Sequence, residues 1–445
     1  MSQATSMPAL DSPEMQQLAL GNLTRIVSLS TVLTKLTQQQ CASKNQCKLP
    51  AHFMVYFLIA MAWKKTDPYR EVWRWLRMGL QTLWGLDKLP AAVVTKAAIT
   101  VARGRLKWQA LRELFRACAL PMATRHTPGA FYRRWRLVSV DGTTLATPDT
   151  AKNRDAFGKP GSGNGEGAFP LVKVVTLVEV GTHAIIGIAL DAWRTAETTL
   201  VRDLLPLLGP SMLCLADREY FSYALWTEAC ATGVQLVWRL KKNMILPCER
   251  PLPDGSYLSR VYPSTQAREA KQDGIRVRVI EYTLPDVSGA EPVYRLITTV
   301  LSPKQAPALE LAGLYPERWE NEGVLKEVKT FLLGGADAVL RSQSPDFVRQ
   351  EIYGLMLAHY AVRSVMFDAA KMAKEDPDRI SFRHTVRVLC RTLPEGAALP
   401  PSEVVTMVSE GIGRGVTRTS RFQPRAVTSA GDPATHFQIS VAKEC

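Results

Sequence analysis

The 445-residue chain predicts an α/β fold, a mixed sheet flanked by helices, with an all-α region before it and a β-rich insertion inside it. Three observations carry this. Between residues 130 and 242, short apolar runs bounded by turn residues alternate with helix-like stretches, as buried strands of an α/β sheet do. Residues 20–120 read as helices. Residues 243–303 change to proline-rich turns and β-type runs before a helical pattern returns at 304.

Taken in order, residues 1–18 look disordered. In the helical region Arg70, Arg74 and Arg77 recur at helical spacing beside Trp73 and Trp75, and Lys96, Arg103, Arg105, Lys107 and Arg112 form a second basic stripe. Arginine and tryptophan on short helices can grip phosphates; they can equally be a solvated face with its tryptophans in the core. RWRLVSVDGTTLAT is a strand through Leu137, Val138 and Val140 that ends at Asp141 and turns through Gly142. KNRDAFGKPGSGNGEGAFP follows, and its five glycines predict a mobile surface loop. It lacks GxxxxGK[ST], which excludes a nucleotide-binding P-loop. LVKVVTLVEV and THAIIGIAL read as paired strands joined at Gly181-Thr182, and residues 195–207 as a helix. SMLCLADREYFS is a strand through Met212, Leu213 and Leu215 ending at Asp217, before the helix-like YFSYALWTEACA and the strand VQLVWRL. Strand, strand, strand, helix, strand, helix, strand is the order of an RNase H-like core. GIRVRVIEYTL and PVYRLITTVL supply strands of the insertion, residues 345–372 form a long helix, and the tail from about 395 is partly unfolded.

The chemistry concentrates in YPERWENEGVLKEVK. Tyr315, Arg318, Glu322 and Lys329 follow steps of three, four and seven, which would put them on one helical face, a lone carboxylate among phosphate-seeking groups. The same spacing also suits a plain salt-bridged face. One carboxylate cannot hold the two divalent ions used for phosphodiester displacement, so the face needs acidic partners. Asp141 and Asp217, at strand ends where α/β sheets place ligands, are the candidates.

Together, Asp141-Gly142-Thr143, Asp217-Arg218 and the Tyr-Arg-Glu-Lys run resemble the DDE class of insertion sequence transposases, in the branch called family four. LPAHFMVYFLIAMAWKKTDPYREVWRWLRMGL and TKAAITVARGRLKWQALRELF are similar to that branch's helical N-terminal domain, so the resemblance covers roughly residues 20–370. Glu219 departs from it, standing where many relatives have glycine. The resemblance implies an RNase H-like catalytic core over 130–242 and 304–372, a DNA-binding helical domain over 19–125, a β-rich insertion over 243–303, and a partly flexible C-terminal region over 373–445. It implies Asp141, Asp217 and Glu322 as catalytic ligands of two Mg2+ ions, with Mn2+ able to substitute. Tyr315, Arg318, Lys329, Arg218, Arg103 and Arg105 become DNA contacts, and Tyr294 a side chain that stacks on a flipped base. It also implies cut-and-paste transposition: a nick at the terminal inverted repeats, a hairpin, reopening, and transfer of the 3′-OH into target DNA by a homodimer. A host-adopted DNA-binding protein and an RNase H-like nuclease are the alternatives; the first would have lost an acid, the second would lack the N-terminal domain.

Composition agrees. Lys and Arg number 55 against 41 Asp and Glu, a formal net charge of +14 that favours polyanionic partners. The eight cysteines show no CxxC pair and read as reduced thiols, and the six histidines show no HExxH or Cys/His spacing for zinc. The N-terminus shows no secretory signal, and His52–Trp63 is too short to span a bilayer. A cytoplasmic, nucleoid-associated protein without a membrane partner is expected.

Overall fold

The computed structural model describes residues 22–43, 49–81, 94–162, 165–284, 291–392, 401–410 and 438–439. The disorder expected for residues 1–18 lies outside the described residues, as does most of the tail. The chain divides into two units: Met1–Met122 with Ala146–Pro170 and Lys326–Val416, and Ala123–Leu145 with Leu171–Leu325 and Thr417–Cys445.

The first unit is helical. Helices α1 (Asn22–Ile26), α2 (Leu29–Gln38), α3 (Ala51–Trp63), α4 (Tyr69–Gln81), α5 (Lys96–Arg105) and α6 (Trp108–Cys118) follow one another. Because AHFMVYFLIAMAW is apolar on every side, α3 is buried along nearly its whole length as a central core helix. Among the described residues no helix is long and apolar enough to cross a membrane. In α4, Trp73 and Trp75 are buried while Arg70 and Arg74 are exposed. Those tryptophans are core.

The glycine-rich stretch begins not as a loop but as helix α7 (Ala151–Phe157), because the Thr150 hydroxyl accepts from the Asn153 amide and Gly158 ends the helix at φ 73°. A small hairpin, β3 (Gly161–Ser162) with β4 (Gly165–Glu166), follows. The 29-residue helix α13 (Pro345–Ala373) packs on α3. Their close crossing requires Gly354, where a Cβ would lie 2.8 Å from the Leu58 carbonyl oxygen. Glu327 ties its buried carboxylate to Arg363 and to His359 at 3.3 Å. α14 (Phe382–Thr392) and α15 (Pro401–Ser409) complete this unit.

Arg103, expected as a DNA contact, is 2% exposed. It donates to Gln350 Oε1 (3.3 Å), the Tyr69 hydroxyl (3.3 Å), Ser342 Oγ (3.0 Å) and the Phe347 carbonyl (3.0 Å), so four of its five N–H donors are taken inside the protein. Arg105 is exposed and donates to the Leu49 carbonyl at 3.2 Å.

The second unit is built on an 11-stranded sheet ordered β6-β5-β2-β7-β8-β12-β11-β10-β9. Its core is β2 (Trp135–Ala146), β5 (Leu171–Glu179), β6 (Ala184–Ala192), β7 (Met212–Ala216) and β8 (Gln235–Arg239), with β1 (Phe131–Tyr132) beside β2. β5 and β6 are antiparallel, while β2, β7 and β8 run parallel. That is the RNase H-like order. MLCLA is uninterruptedly apolar because β7 is central. The helix expected over 195–207 is shorter: α8 (Glu197–Arg202) ends and a 3-10 turn spans Leu205–Leu207 around Pro206, which lacks the amide a longer helix needs. α9 (Tyr223–Ala231) crosses to β8.

The insertion extends the same sheet: β9 (Arg250–Pro251), β10 (Tyr257–Val261), β11 (Ile275–Thr283) and β12 (Tyr294–Thr298) add antiparallel beyond β8, with α10 (Thr265–Glu269) between β10 and β11, and β13 (Gln438–Ile439) pairs β11. The fully buried Arg278 anchors it, pairing with Asp254, whose Oδ2 in turn accepts the Ala308 amide at 2.8 Å where α11 (Ala308–Leu314) starts. Cys41, Cys118, Cys214, Cys230 and Cys390 are free thiols as expected, whereas Cys248 is disulfide-bonded, which no cysteine spacing announced.

Candidate active site

Asp141 and Asp217 meet because their strands are parallel and in register. Val138 pairs with Cys214 and Ser139 with Leu215, an offset of 214 − 138 = 76 residues. Asp141 and Asp217 share it, since 217 − 141 = 76, and so face each other two residues beyond the last of those pairs. β2 does not end at Asp141 as expected. It continues through the β-branched Thr143 and Thr144 to Ala146, although β7 stops at Ala216. Asp141 thus stands where the sheet loses its neighbour and burial gives way to partial exposure. Its Oδ1 accepts the Gly142 amide at 2.9 Å, and Asp217 Oδ1 accepts the Arg218 amide at 2.7 Å, capping a 3-10 turn.

Glu322 comes from the helical run after the insertion, which is not one regular helix. α11 passes into a 3-10 segment (Tyr315–Trp319), then α12 (Glu320–Glu327), then a π-helical segment (Val328–Leu333). Pro316, without an amide proton, accounts for the tightened first part. Asn321, wholly buried, fixes the register: its Nδ2 donates to the Ser139 carbonyl at 3.0 Å, and Thr176 Oγ1 lies 3.0 Å from its Oδ1 and 3.2 Å from the Asp141 carbonyl. The helix is thereby tied to β2 one residue before Glu322.

The three carboxylates converge on Arg318. Its guanidinium lies 3.7 Å from Asp141, 4.0 Å from Asp217 and 3.2 Å from Glu322. The Arg318 side chain is 7% exposed, whereas that of Glu322 is 57% exposed and open to an incoming ligand. Burial raises the Asp141 carboxyl from 3.8 to about 6; the Gly142 amide and Arg318 pull it down, while Glu322 and Glu197 push it up. Hard carboxylate oxygens on three separate elements, around one cation, are a donor set that fits divalent ions.

Tyr315, expected to donate to a DNA phosphate, is 5% exposed. Its hydroxyl is 3.4 Å from the Ala216 carbonyl and 3.5 Å from Asp217 Oδ1, so it steadies the Asp217 turn instead of facing solvent. Arg218 pairs with Glu291 at 3.1 Å, and Glu219, the departure from the family pattern, pairs with Lys241 at 2.8 Å. Tyr294 begins β12; its ring stacks on Tyr282 at 5.2 Å and lies 4.7 Å from the Arg239 guanidinium. Lys329 lies in the π-helical segment, in the first unit, where burial lowers its pKa.

Glu197, in the first turn of α8, also reaches this site. Its Oε2 accepts the Tyr220 hydroxyl at 2.6 Å, and a Cβ on Gly142 would lie 2.4 Å from that oxygen. No spacing joins 142, 197 and 220; only the crossover through α8 brings them together.

Residues 135–361 match the transposase DDE domain family and residues 17–116 match the insertion element 4 transposase N-terminal family. The chain is 27% identical over 400 residues to transposase InsG for insertion sequence element IS4 of Escherichia coli (strain K12), spanning 88% of each protein. It is 23% identical over 206 residues to the putative transposase InsZ of the same strain, covering 46% of this chain and 66% of that one. Among solved structures, the cryo-EM piggyBac transposase synaptic complex with hairpin DNA is similar at a TM-score of 0.43 and 13% identity, over 93% of this chain and 87% of that one. The family match spans half the chain, its N-terminal companion precedes it, and the chain therefore belongs to the transposase DDE domain family, in the insertion element 4 branch, and is a DDE transposase.

Proposed function

We propose that this enzyme is a cut-and-paste DNA transposase that recognises the terminal inverted repeats of its own insertion sequence. It cleaves the ends with Mg2+, passes through a hairpin, and joins the 3′-OH ends to target DNA as a homodimer. One observation carries this reading: Asp141, Asp217 and Glu322 come from two strands and a helix to surround Arg318 within 4.0 Å.

Asp141, Asp217 and Glu322 would together hold the divalent ions. The chemistry such ions would supply is the activation of a water and the stabilisation of negative charge on the departing 3′ oxygen of a phosphodiester. Arg318 neutralises the carboxylates in the free protein and orients a backbone phosphate once that charge is balanced otherwise. Tyr315 and the Arg218 amide hold Asp217 in place; Asn321 and Thr176 hold the segments bearing Glu322 and Asp141. Lys329, Arg218 and the exposed Arg105 are the remaining candidates for backbone contact. The work is done in the bacterial cytoplasm, at the nucleoid.

Linear DNA carrying the element's ends, incubated with the protein and Mg2+, tests this. Denaturing gels should show a nick at the end first, a hairpin next and joined target product last, with none in EDTA. Cleavage that ignores the end sequence would favour an RNase H-like nuclease.

A further inference from the structure

A cavity not involved in the proposed chemistry lies wholly in the first unit and encloses about 820 Å³. Lys96 and Thr100 of α5 line it, with Lys152 of α7, Arg103, Arg341, and Ser344 at the start of α13. Four of its lining residues are cations and none is a carboxylate. Lys96 and Lys152 are exposed, and the Arg341 Nη1 is buried without a hydrogen-bond partner. Ser344 caps a 29-residue helix without a side-chain cap bond, so first-turn amides and the positive helix end add to the field. Acids around it have partners: Glu351 accepts the Arg341 amide at 2.9 Å, Asp149, next to the lining Thr150, pairs with Lys159 at 2.8 Å, Asp67 pairs with Lys64 at 3.1 Å, and Asp346 lies 3.8 Å from Arg349.

We propose that this cavity is a phosphate-binding site that takes a stretch of nucleic-acid backbone. The inference rests on the DNA-acting reading above and adds a site to it. Volume and aromatic chemistry point to backbone, not to a free nucleotide. The space exceeds what one phosphate fills, and its cations are spread over three elements. Both aromatic rings that line it are already taken: Arg341 covers Tyr69 at 4.4 Å and Arg103 covers Phe347 at 4.6 Å. With a guanidinium over each lining ring, the lining suits phosphates better than a stacked base, so the site grips backbone without reading sequence. Arg103, with four of its five N–H donors already bonded, contributes mainly charge, while Lys96, Lys152 and Arg341 supply the contacts.

Fluorescence anisotropy of labelled duplex DNA, in EDTA and across a salt series, tests it on the full-length protein. The Lys96→Ala/Lys152→Ala variant should lower the slope of log affinity against log salt by about 0.9 per lost phosphate contact, roughly 2 in all, equally for end-bearing and random duplexes. The control Lys35→Ala/Lys371→Ala, at exposed or half-exposed positions that do not line the cavity, should leave the slope unchanged. Ala151→Trp, which fills the cavity without altering charge, should also weaken binding. All variants should melt like the wild type. Equal losses in the cavity and control variants, or wild-type binding by Ala151→Trp, would overturn the inference. ATP that binds the wild type while duplex affinity ignores the cavity variants would overturn the backbone assignment in favour of a nucleotide. Cleavage of end DNA is read separately: its absence alongside cavity-dependent binding would sink the reaction proposed above and leave this site standing.

Discussion

Replacing Asp141 with asparagine should stabilise the metal-free protein while abolishing its chemistry. The carboxyl is pushed from 3.8 to about 6, chiefly by burial, and its side chain is only 19% exposed. At roughly 1.4 kcal/mol per pKa unit, ionised Asp141 costs the folded state about 3 kcal/mol at pH 7.5. Losing its attraction to Arg318 and the residual hydration reduce the net gain from Asp141→Asn to roughly 1–3 kcal/mol. The sign follows from linkage. A carboxyl whose pKa is raised on folding favours the folded state fully below its unfolded value, and that contribution is lost as pH rises through about 6. The variant should therefore match the wild type near pH 3.8, overtake it between there and 6, and keep a constant lead above. Urea denaturation in EDTA at several pH values measures this. Mg2+ should stabilise the wild type and leave Asp141→Asn unmoved. A lead that ignores pH, or a variant less stable at pH 7.5, would refute the electrostatic account of this site.

Further outcomes follow from the same contacts. Gly142→Ala puts a Cβ 2.4 Å from a Glu197 oxygen that Tyr220 holds, so the Glu197 carboxylate must swing away from the Asp141 turn and give up Tyr220; end cleavage should fall while duplex affinity stays unchanged. Wild-type cleavage by that variant would remove Glu197 from the account. Glu327→Ala leaves Arg363 and His359 buried without their carboxylate and should destabilise the protein by roughly 3–5 kcal/mol in urea, with Glu327→Gln costing less.

The core was legible because its signals are local. Each central strand is a short apolar run between turn residues, and the equal offset of 76 that brings Asp141 to Asp217 is written in their positions once the strands are taken as parallel. The Arg318–Glu322 pair is likewise local, an i,i+4 contact. What escaped the sequence is tertiary. Arg103 looked like one cation in an exposed stripe, but its partners lie at 69 and at 342–350, where no helical periodicity points. Tyr315 carries a hydroxyl that suits phosphate, yet it packs in the hydrophobic core beneath Asp217. Glu197 and Asn321 were invisible as site residues because a carboxylate at a helix start and an asparagine beside a glutamate are common everywhere.

The claim that Asp141, Asp217 and Glu322 act as one metal-binding set is tested most directly at Glu322, the most exposed of the three and the one whose loss disturbs the core least. Strand cleavage of end-bearing DNA should be followed for Glu322→Ala and the wild type, at matched Mg2+ and with duplex binding confirmed for both. The account predicts that Glu322→Ala binds the ends and makes no nick. Cleavage by that variant at the wild-type rate would contradict it.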